Sequence, residues 1–123
     1  MSQNILIIED DAFLRDLLKK KLESFGFAVS EAVDGEKGIK KIKEQKPDLI
    51  LLDLLLPNVD GFEILSRIKK DAESSSIPVI ILSNLGQKED IDKCLTLGAT
   101  DYMVKAQSTP DDIVAKATTM FKK

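Results

Sequence analysis

Histidine is absent from this chain of 123 residues. Its absence excludes a Ser-His-Asp triad, a histidine general base and a zinc site that uses imidazole ligands. The single cysteine, Cys94, cannot form a disulfide within the chain, which excludes a small secreted fold held together by disulfides. Long hydrophobic runs are also lacking: the apolar run 49–52 stops at Asp53, far short of the roughly 20 residues that cross a bilayer.

A strong charge of one sign is missing as well. The chain has 18 basic and 21 acidic residues and a net charge of −3, which argues against direct nucleic-acid binding, because that requires a basic surface. The first four residues contain no basic stretch followed by an apolar one, so no signal peptide is visible and we expect a cytoplasmic protein without a membrane segment. The composition, 43% hydrophobic and 32% charged, fits one globular domain over residues 1–123.

Short apolar runs alternate along the chain with stretches of helical periodicity. The runs 5–8, 49–52 and 79–82 predict strands buried on both faces, and 27–29 and 102–104 are weaker strand candidates. A weak helix is predicted between Gly35 and Pro47. Four further helices are predicted from these apolar stripes: Phe13, Leu14, Leu17, Leu18, Leu22 and Phe25; Ile64, Leu65, Ile68 and Ala72; Ile91, Cys94, Leu95 and Leu97; Ile113, Val114, Ala117, Met120 and Phe121.

The predicted order is strand then helix, five times. This order predicts an α/β protein with a five-stranded parallel sheet, helices on both faces and right-handed connections. Asp11 is interpreted as the cap of the first helix, Asp60 with Glu63 as a capping box, and Thr109 with Pro110 as the start of the last helix. Cys94 is interpreted as a small buried apolar residue.

Polar residues follow the predicted strands directly. In a parallel sheet, ligands bind at the carboxyl ends of the strands, so we expect these residues to converge at one edge. They are Glu9, Asp10 and Asp11 after the first strand, Asp53 after the third, Ser83 and Asn84 after the fourth, and Lys105 after the fifth.

The predicted cluster of carboxylates requires a compensating charge. Two carboxylates about 4 Å apart repel by roughly 4 kcal/mol at an effective dielectric constant of 20, so either some protonate or a hard cation lies between them. Ligands that are all oxygen indicate Mg²⁺. Asp53 can act as a nucleophile that forms an acyl phosphate, while a lysine and a hydroxyl bind phosphoryl oxygens.

Four segments, taken in order, resemble the receiver domain of bacterial two-component response regulators, of the chemotaxis-regulator type. They are ILIIEDD (5–11), DLLLPNVDG (53–61), PVIILS (78–83) and GATDYMVK (98–105). The resemblance covers nearly the whole chain. It implies a doubly wound, flavodoxin-like (βα)5 fold with strand order 2-1-3-4-5.

The resemblance also implies roles at the acidic edge. Asp53 would be the phosphoacceptor, modified by a sensor histidine kinase or a phosphotransfer protein in a reaction that depends on Mg²⁺. Glu9 and Asp10 would be the acidic pair that holds Mg²⁺ together with Asp53 and the backbone carbonyl of Leu55. The chain would catalyse only its own phosphorylation and slow dephosphorylation, and so would not be an enzyme in the ordinary sense.

Three further residues have roles implied by the resemblance. Ser83 and Lys105 would bind the phosphoryl oxygens, and Tyr102 would be the aromatic switch residue whose rotamer follows Ser83. Phosphorylation would then change the face formed by the fourth helix, fifth strand and fifth helix, which would bind a partner.

We expect a monomer or weak homodimer that acts on a downstream protein or on an output domain missing from this chain, because the sequence stops just after the last predicted helix.

The sequence departs from the family pattern at three places. Ala106 stands where receivers usually have proline after the lysine, so we expect a trans bond or a strained loop there, which puts the position of Lys105 in doubt. Asn84 is bulkier than the usual residue after the hydroxyl and could cover Asp53 in part. Leu55 and Leu85 flank the expected path of water and cannot orient it, so we predict slow loss of the phosphoryl group.

Three other classes of protein share some of these features. A haloacid-dehalogenase-like phosphatase requires a second Asp where Leu55 stands. A flavodoxin requires a phosphate-binding loop, where the acidic residues 9–11 would repel a phosphate. A degenerate receiver that only provides a protein-binding scaffold remains the alternative.

Overall fold

The computed structural model describes residues 3–121, which form five strands and five helices in strict alternation. The strands are β1 (Asn4–Ile8), β2 (Ala28–Ala32), β3 (Leu49–Leu52), β4 (Val79–Ser83) and β5 (Asp101–Val104). The helices are α1 (Ala12–Ser24), α2 (Gly35–Gln45), α3 (Gly61–Lys70), α4 (Lys88–Leu97) and α5 (Pro110–Thr119). A short 3-10 turn, Lys105–Gln107, follows β5.

All five strands are parallel, in the order β2-β1-β3-β4-β5. The predicted strand order and fold class are therefore confirmed. Strands β1 and β3 pair from Ile5 opposite Leu49 to Ile8 opposite Leu52. This register brings the residues that follow both strands, Glu9 and Asp53, to the same edge.

The two faces of the sheet have separate apolar cores, because alternate side chains of a strand point to opposite faces. On one face Leu6, Ile8 and Leu52 pack with residues of α2, α3 and α4. On the other face Ile5 and Ile7 pack with residues of α1 and α5. The central strands β1, β3 and β4 are covered on both sides, which explains their continuous apolar runs.

Helix ends follow the predicted capping chemistry in part. Asp11 caps α1, accepting hydrogen bonds from the backbone amides of Phe13 and Leu14. Asp60 caps α3 through the amide of Phe62, whereas the reciprocal capping box occurs at α5, between Thr109 and Asp112. The first-turn proline predicted for the last helix is also present, at Pro110.

Several apolar residues assigned to the core by periodicity lie elsewhere. Phe13 and Phe25 of the first stripe are 79% and 65% exposed; Phe13 lies in the first turn of α1, and Phe25 follows its last residue. Helix α3 ends at Lys70, so Ala72 lies outside it and is exposed. In α4 the only buried residue is Cys94, as predicted for that residue, while Leu95 is 46% exposed.

The helices between residues 3 and 121 are all too short or too polar to cross a membrane.

Candidate functional site

Four adjacent strands deliver the site residues to the carboxyl edge of the sheet. Glu9 directly follows β1, Asp53 follows β3, Ser83 is the last residue of β4 and Lys105 follows β5. Because these strands are parallel and adjacent, the four side chains enter from the same end. The convergence expected from the sequence thus has a direct structural cause.

Asp53 is almost completely buried, with 3% of its surface exposed. Its Oδ1 accepts a hydrogen bond of 3.0 Å from the backbone amide of Leu55, and its Oδ2 accepts one of 2.9 Å from Lys105 Nζ. The amide of Asp53 itself donates to the carbonyl of Ile8, which continues the β1–β3 ladder by one residue. The carboxylate is therefore held on a rigid strand end.

Glu9 is the most buried of the acids, with 1% exposed. Its Oε2 accepts a 3.0 Å hydrogen bond from the amide of Asp11. Its Oε1 lies 2.6 Å from Lys105 Nζ, which is an ion pair without hydrogen-bond alignment. Burial raises the pKa of Glu9 to about 7, and the Asp53 charge acts in the same direction, while the ion pair with Lys105 and the hydrogen bond from the Asp11 amide oppose it.

Lys105 bridges the two buried carboxylates, with 17% of its side chain exposed. Burial alone would lower its pKa, but the contacts with Glu9 and Asp53 outweigh burial, and the pKa is raised. The peptide bonds within residues 3–121 are all trans, including Lys105–Ala106 as predicted. Alanine at position 106 does not prevent the lysine from reaching Asp53.

Three carboxylates come together at this edge. Glu9, Asp10 and Asp53 each offer one oxygen, and these oxygens all lie within 4.8 Å of one another. Asp10 is exposed, whereas the other two are buried. One ammonium cannot neutralise three carboxylates, so an oxygen-only donor set in which the buried Glu9 Oε1 accepts no hydrogen bond fits a hard divalent cation. Asp11 lies outside this group and caps α1 instead, as predicted.

Ser83 and Tyr102 meet at the loop after β4. Ser83 is fully buried, and its Oγ accepts a 3.3 Å hydrogen bond from the amide of Leu85. The Tyr102 hydroxyl donates to the carbonyl of Leu85. Burial, chiefly, raises the pKa of Tyr102 to about 12, so the hydroxyl keeps its proton and remains a donor at neutral pH. Tyr102 thus ties β5 to the loop that begins at Ser83.

One residue at the site was missed from the sequence. Arg15 of α1 donates from Nη1 to the backbone carbonyl of Glu9 at 2.8 Å. Its spacing in the chain resembles that of an ordinary charge on a helix surface, and a contact with a backbone carbonyl leaves no pattern in residue types. No sequence signal could have found it.

The family model of the response regulator receiver domain matches residues 5–118. The chain belongs to this family. Receiver domains of this family are signalling domains of two-component systems, and the acidic cluster is of the kind found at their metal sites.

Individual relatives agree with the family. The DNA-binding dual master transcriptional regulator RpaA of Synechocystis is 46% identical over 101 residues, which are 82% of this chain and 42% of RpaA. The crystal structure of a CheY-like receiver domain protein from Methanospirillum hungatei superposes with a TM-score of 0.89 at 28% identity, covering 97% of this chain and 93% of that one. The Mn²⁺-bound response regulator Rcp1 gives a TM-score of 0.86 at 26% identity, covering 97% and 94%. The chain spans about half the length of the curated relatives that it matches.

Proposed function

We propose that this receiver accepts a phosphoryl group on Asp53 from a phosphohistidine of a sensor kinase or phosphotransfer protein. The observation that carries the proposal is the contact of one ammonium, Lys105 Nζ, with both Asp53 and Glu9 beside the exposed carboxylate of Asp10. In this arrangement Asp53 is the nucleophile and the Lys105 ammonium can bind the oxygens of the transferred phosphoryl group. The three carboxylates form an oxygen-only metal site at the same edge of the sheet.

We propose that this carboxylate site binds Mg²⁺. Glu9, Asp10, Asp53 and the backbone carbonyl of Leu55 would hold it, and when bound it would neutralise charge on the phosphoryl oxygens. A structure of the similar regulator Rcp1 contains Mn²⁺, a divalent ion with comparable preference for oxygen ligands.

The residues of the chain perform the transfer by position and charge. A carboxylate oxygen of Asp53 attacks phosphorus, an acyl phosphate bond forms, and the bond from phosphorus to the histidine nitrogen breaks with its electron pair leaving on the imidazole. Lys105 exchanges part of its contact with Asp53 for a phosphoryl oxygen. Ser83, which is fully buried, would move together with the loop that follows it and donate its hydroxyl to the phosphoryl group.

The same movement of the loop after Ser83 would change the surface that binds a partner. A phosphoryl group adds about 1.5 to 2 negative charges at neutral pH, which draws Ser83 and Lys105 toward it. Because Tyr102 is bonded to Leu85 in the same loop, displacement of the loop breaks or relocates that bond. We propose that the face formed by α4, β5 and α5 then binds a downstream protein or an attached output domain.

The experiment is phosphorylation by a small donor, read by intact mass. With Mg²⁺ and acetyl phosphate, the parent chain gains one phosphoryl group, and the Asp53→Asn variant gains none. The matched control is Asp11→Asn, since asparagine also caps a helix and Asp11 lies outside the cluster; this variant is phosphorylated like the parent. A parent chain that gains no mass would support the scaffold alternative, and hydrolysis of a generic phosphate ester would indicate a phosphatase.

A further inference from the structure

Arg15 connects three parts of the chain around the acidic loop. From α1, its Nη1 donates to the backbone carbonyl of Glu9 at 2.8 Å and its Nε to Glu31 Oε2 at 3.3 Å. Glu31 lies on β2, opposite Ile7 of β1 in the sheet register. The Arg15 side chain is 14% exposed, so both bonds form in a partly dry environment. The planar guanidinium makes two bonds in fixed directions, which a lysine cannot do.

The carbonyl that Arg15 binds belongs to the peptide unit between Glu9 and Asp10. Because a peptide unit is planar, fixing its oxygen restricts the direction in which the chain enters Asp10. The other bonds of this loop also hold the neighbours of Asp10: the Glu9 amide donates to the Ala32 carbonyl, and the Asp11 amide donates to Glu9 Oε2. Asp10 itself is exposed at the end of this restrained segment.

We infer that Arg15 is a positioning residue for the metal site. By holding the Glu9–Asp10 peptide in one orientation, it keeps the Asp10 carboxylate within reach of the Glu9 and Asp53 carboxylates, and Glu31 orients its guanidinium for this task. The inference rests on the proposed Mg²⁺ site and adds a residue to it that is not a metal ligand. Arg15 contacts the ligand residue Glu9 through the backbone carbonyl of Glu9.

The charge of Arg15 and its hydrogen bond to the Glu9 carbonyl have opposite effects on the affinity for Mg²⁺. A positive guanidinium near the cluster repels Mg²⁺, so removing its charge alone strengthens metal binding. Losing the fixed peptide orientation weakens metal binding. The direction of the change in Mg²⁺ affinity therefore separates the two roles.

The test is a calorimetric titration with Mg²⁺ alone, without a phosphodonor. For Arg15→Gln we expect a dissociation constant about 10-fold higher, at the lower end of the effect of removing an outer partner of a metal site. The matched control is Lys19→Gln. Lys19 Nζ lies 3.6 Å from Glu31 Oε1, so this variant removes a positive charge that also pairs with Glu31 and leaves the hydrogen bond to the Glu9 carbonyl in place. Its dissociation constant stays unchanged or falls.

A second variant and a second readout keep the inference testable if Arg15→Gln folds poorly. Arg15→Lys retains the charge but cannot bridge Glu9 and Glu31, so it too binds Mg²⁺ more weakly, by less than Arg15→Gln. In the absence of metal, hydrogen exchange at the Asp11 amide becomes faster in both Arg15 variants and not in Lys19→Gln.

The outcomes are separable from those of the proposed function. If the parent chain binds no Mg²⁺, the proposed metal site is wrong. If the parent binds Mg²⁺ and the Arg15 variants bind it equally well or more tightly, Arg15 has no positioning role and the proposed site stands.

Discussion

At the scale of single residues, the acidic edge depends on long side chains that reach between elements. Lys105 contacts carboxylates that follow β1 and β3, although it follows β5 itself. Its ammonium offsets part of the repulsion between Glu9 and Asp53, and both acids can therefore remain buried. The remaining negative charge, with Asp10, is what a divalent cation would neutralise.

Leu55 is the residue through which we expect the lifetime of the phosphoryl group to be set. Leu55 is 52% exposed and lies two residues after the proposed phosphoacceptor, and its apolar side chain cannot orient a water molecule by hydrogen bonding. Leu55→Asn supplies an amide that can, and we expect a phosphoryl half-life roughly 10-fold shorter, less than the effect of a complete general base. The decay of phosphorylated protein, followed by intact mass after removal of the donor, measures it.

Leu55→Ala is the control for this prediction. It removes the bulk of leucine without adding a hydrogen-bonding group. An equal shortening in the alanine variant would show that leucine acts by shielding, and an unchanged half-life in Leu55→Asn would assign slow decay to another cause.

At the scale of elements, the loop from β3 to α3 is shaped by a close approach of backbone to backbone. A Cβ added to Gly61 would lie 2.3 Å from Leu54 Cα and 2.8 Å from the carbonyl oxygen of Asp53. The Gly61 amide also donates to the Leu54 carbonyl at 3.1 Å. The start of α3 thus packs directly on the backbone that carries the proposed phosphoacceptor, and only glycine fits there.

Gly61→Ala is therefore expected to destabilise the fold by about 3 kcal/mol, the upper part of the range for overpacking, because rigid backbone rather than a flexible side chain must move. Urea denaturation measures the loss. Gly86→Ala is the control, since its Cβ would meet Val104 at an ordinary 3.6 Å, and its stability should change by less than about 0.5 kcal/mol. Equal stability of the two variants would contradict the argument.

At the scale of the whole molecule, the site and the proposed output face share the β4–α4 loop. Ser83, the last residue of β4, directly precedes this loop at the acidic edge, and the Tyr102 hydroxyl of β5 donates to the carbonyl of Leu85 in the loop. Changing the ratio of the active to the inactive conformation from 1:99 to 99:1 requires that the active conformation be stabilised by about 5.5 kcal/mol relative to the inactive one. We propose that charge-assisted hydrogen bonds from Ser83 and Lys105 to a phosphoryl group contribute to this stabilisation.

We expect beryllofluoride with Mg²⁺, a mimic of the phosphoryl group, to shift amide resonances in α4, β5 and α5 as well as at the acidic edge. Two-dimensional NMR of labelled protein measures these shifts. Asp53→Asn, which lacks the acceptor, shows none of them. Identical spectra of α4, β5 and α5 with and without the mimic would exclude the proposed output.

Periodicity and strand-end residues were sufficient to predict the architecture, and the mistakes have a common origin. The buried strands β1, β3 and β4 were recognised because both of their faces meet helices, which requires apolar residues throughout. Helical spacing predicts a core position for Phe13 and Phe25, but spacing does not tell how much of α1 the sheet reaches. Which residues of a helix are covered by other elements depends on how the whole chain folds.

The amino-acid sequence alone determined the alternation of strands and helices and the convergence of Glu9, Asp10, Asp53, Ser83 and Lys105 on one edge, since the residues after parallel strands necessarily share that edge. Only the tertiary structure decided which flexible side chains meet there. That Lys105 joins Glu9 to Asp53, that Tyr102 bonds to Leu85 and that Arg15 holds the Glu9 carbonyl each depends on distances between elements far apart in the chain. Local residue order does not encode such distances, because they arise only when the sheet and its helices pack together.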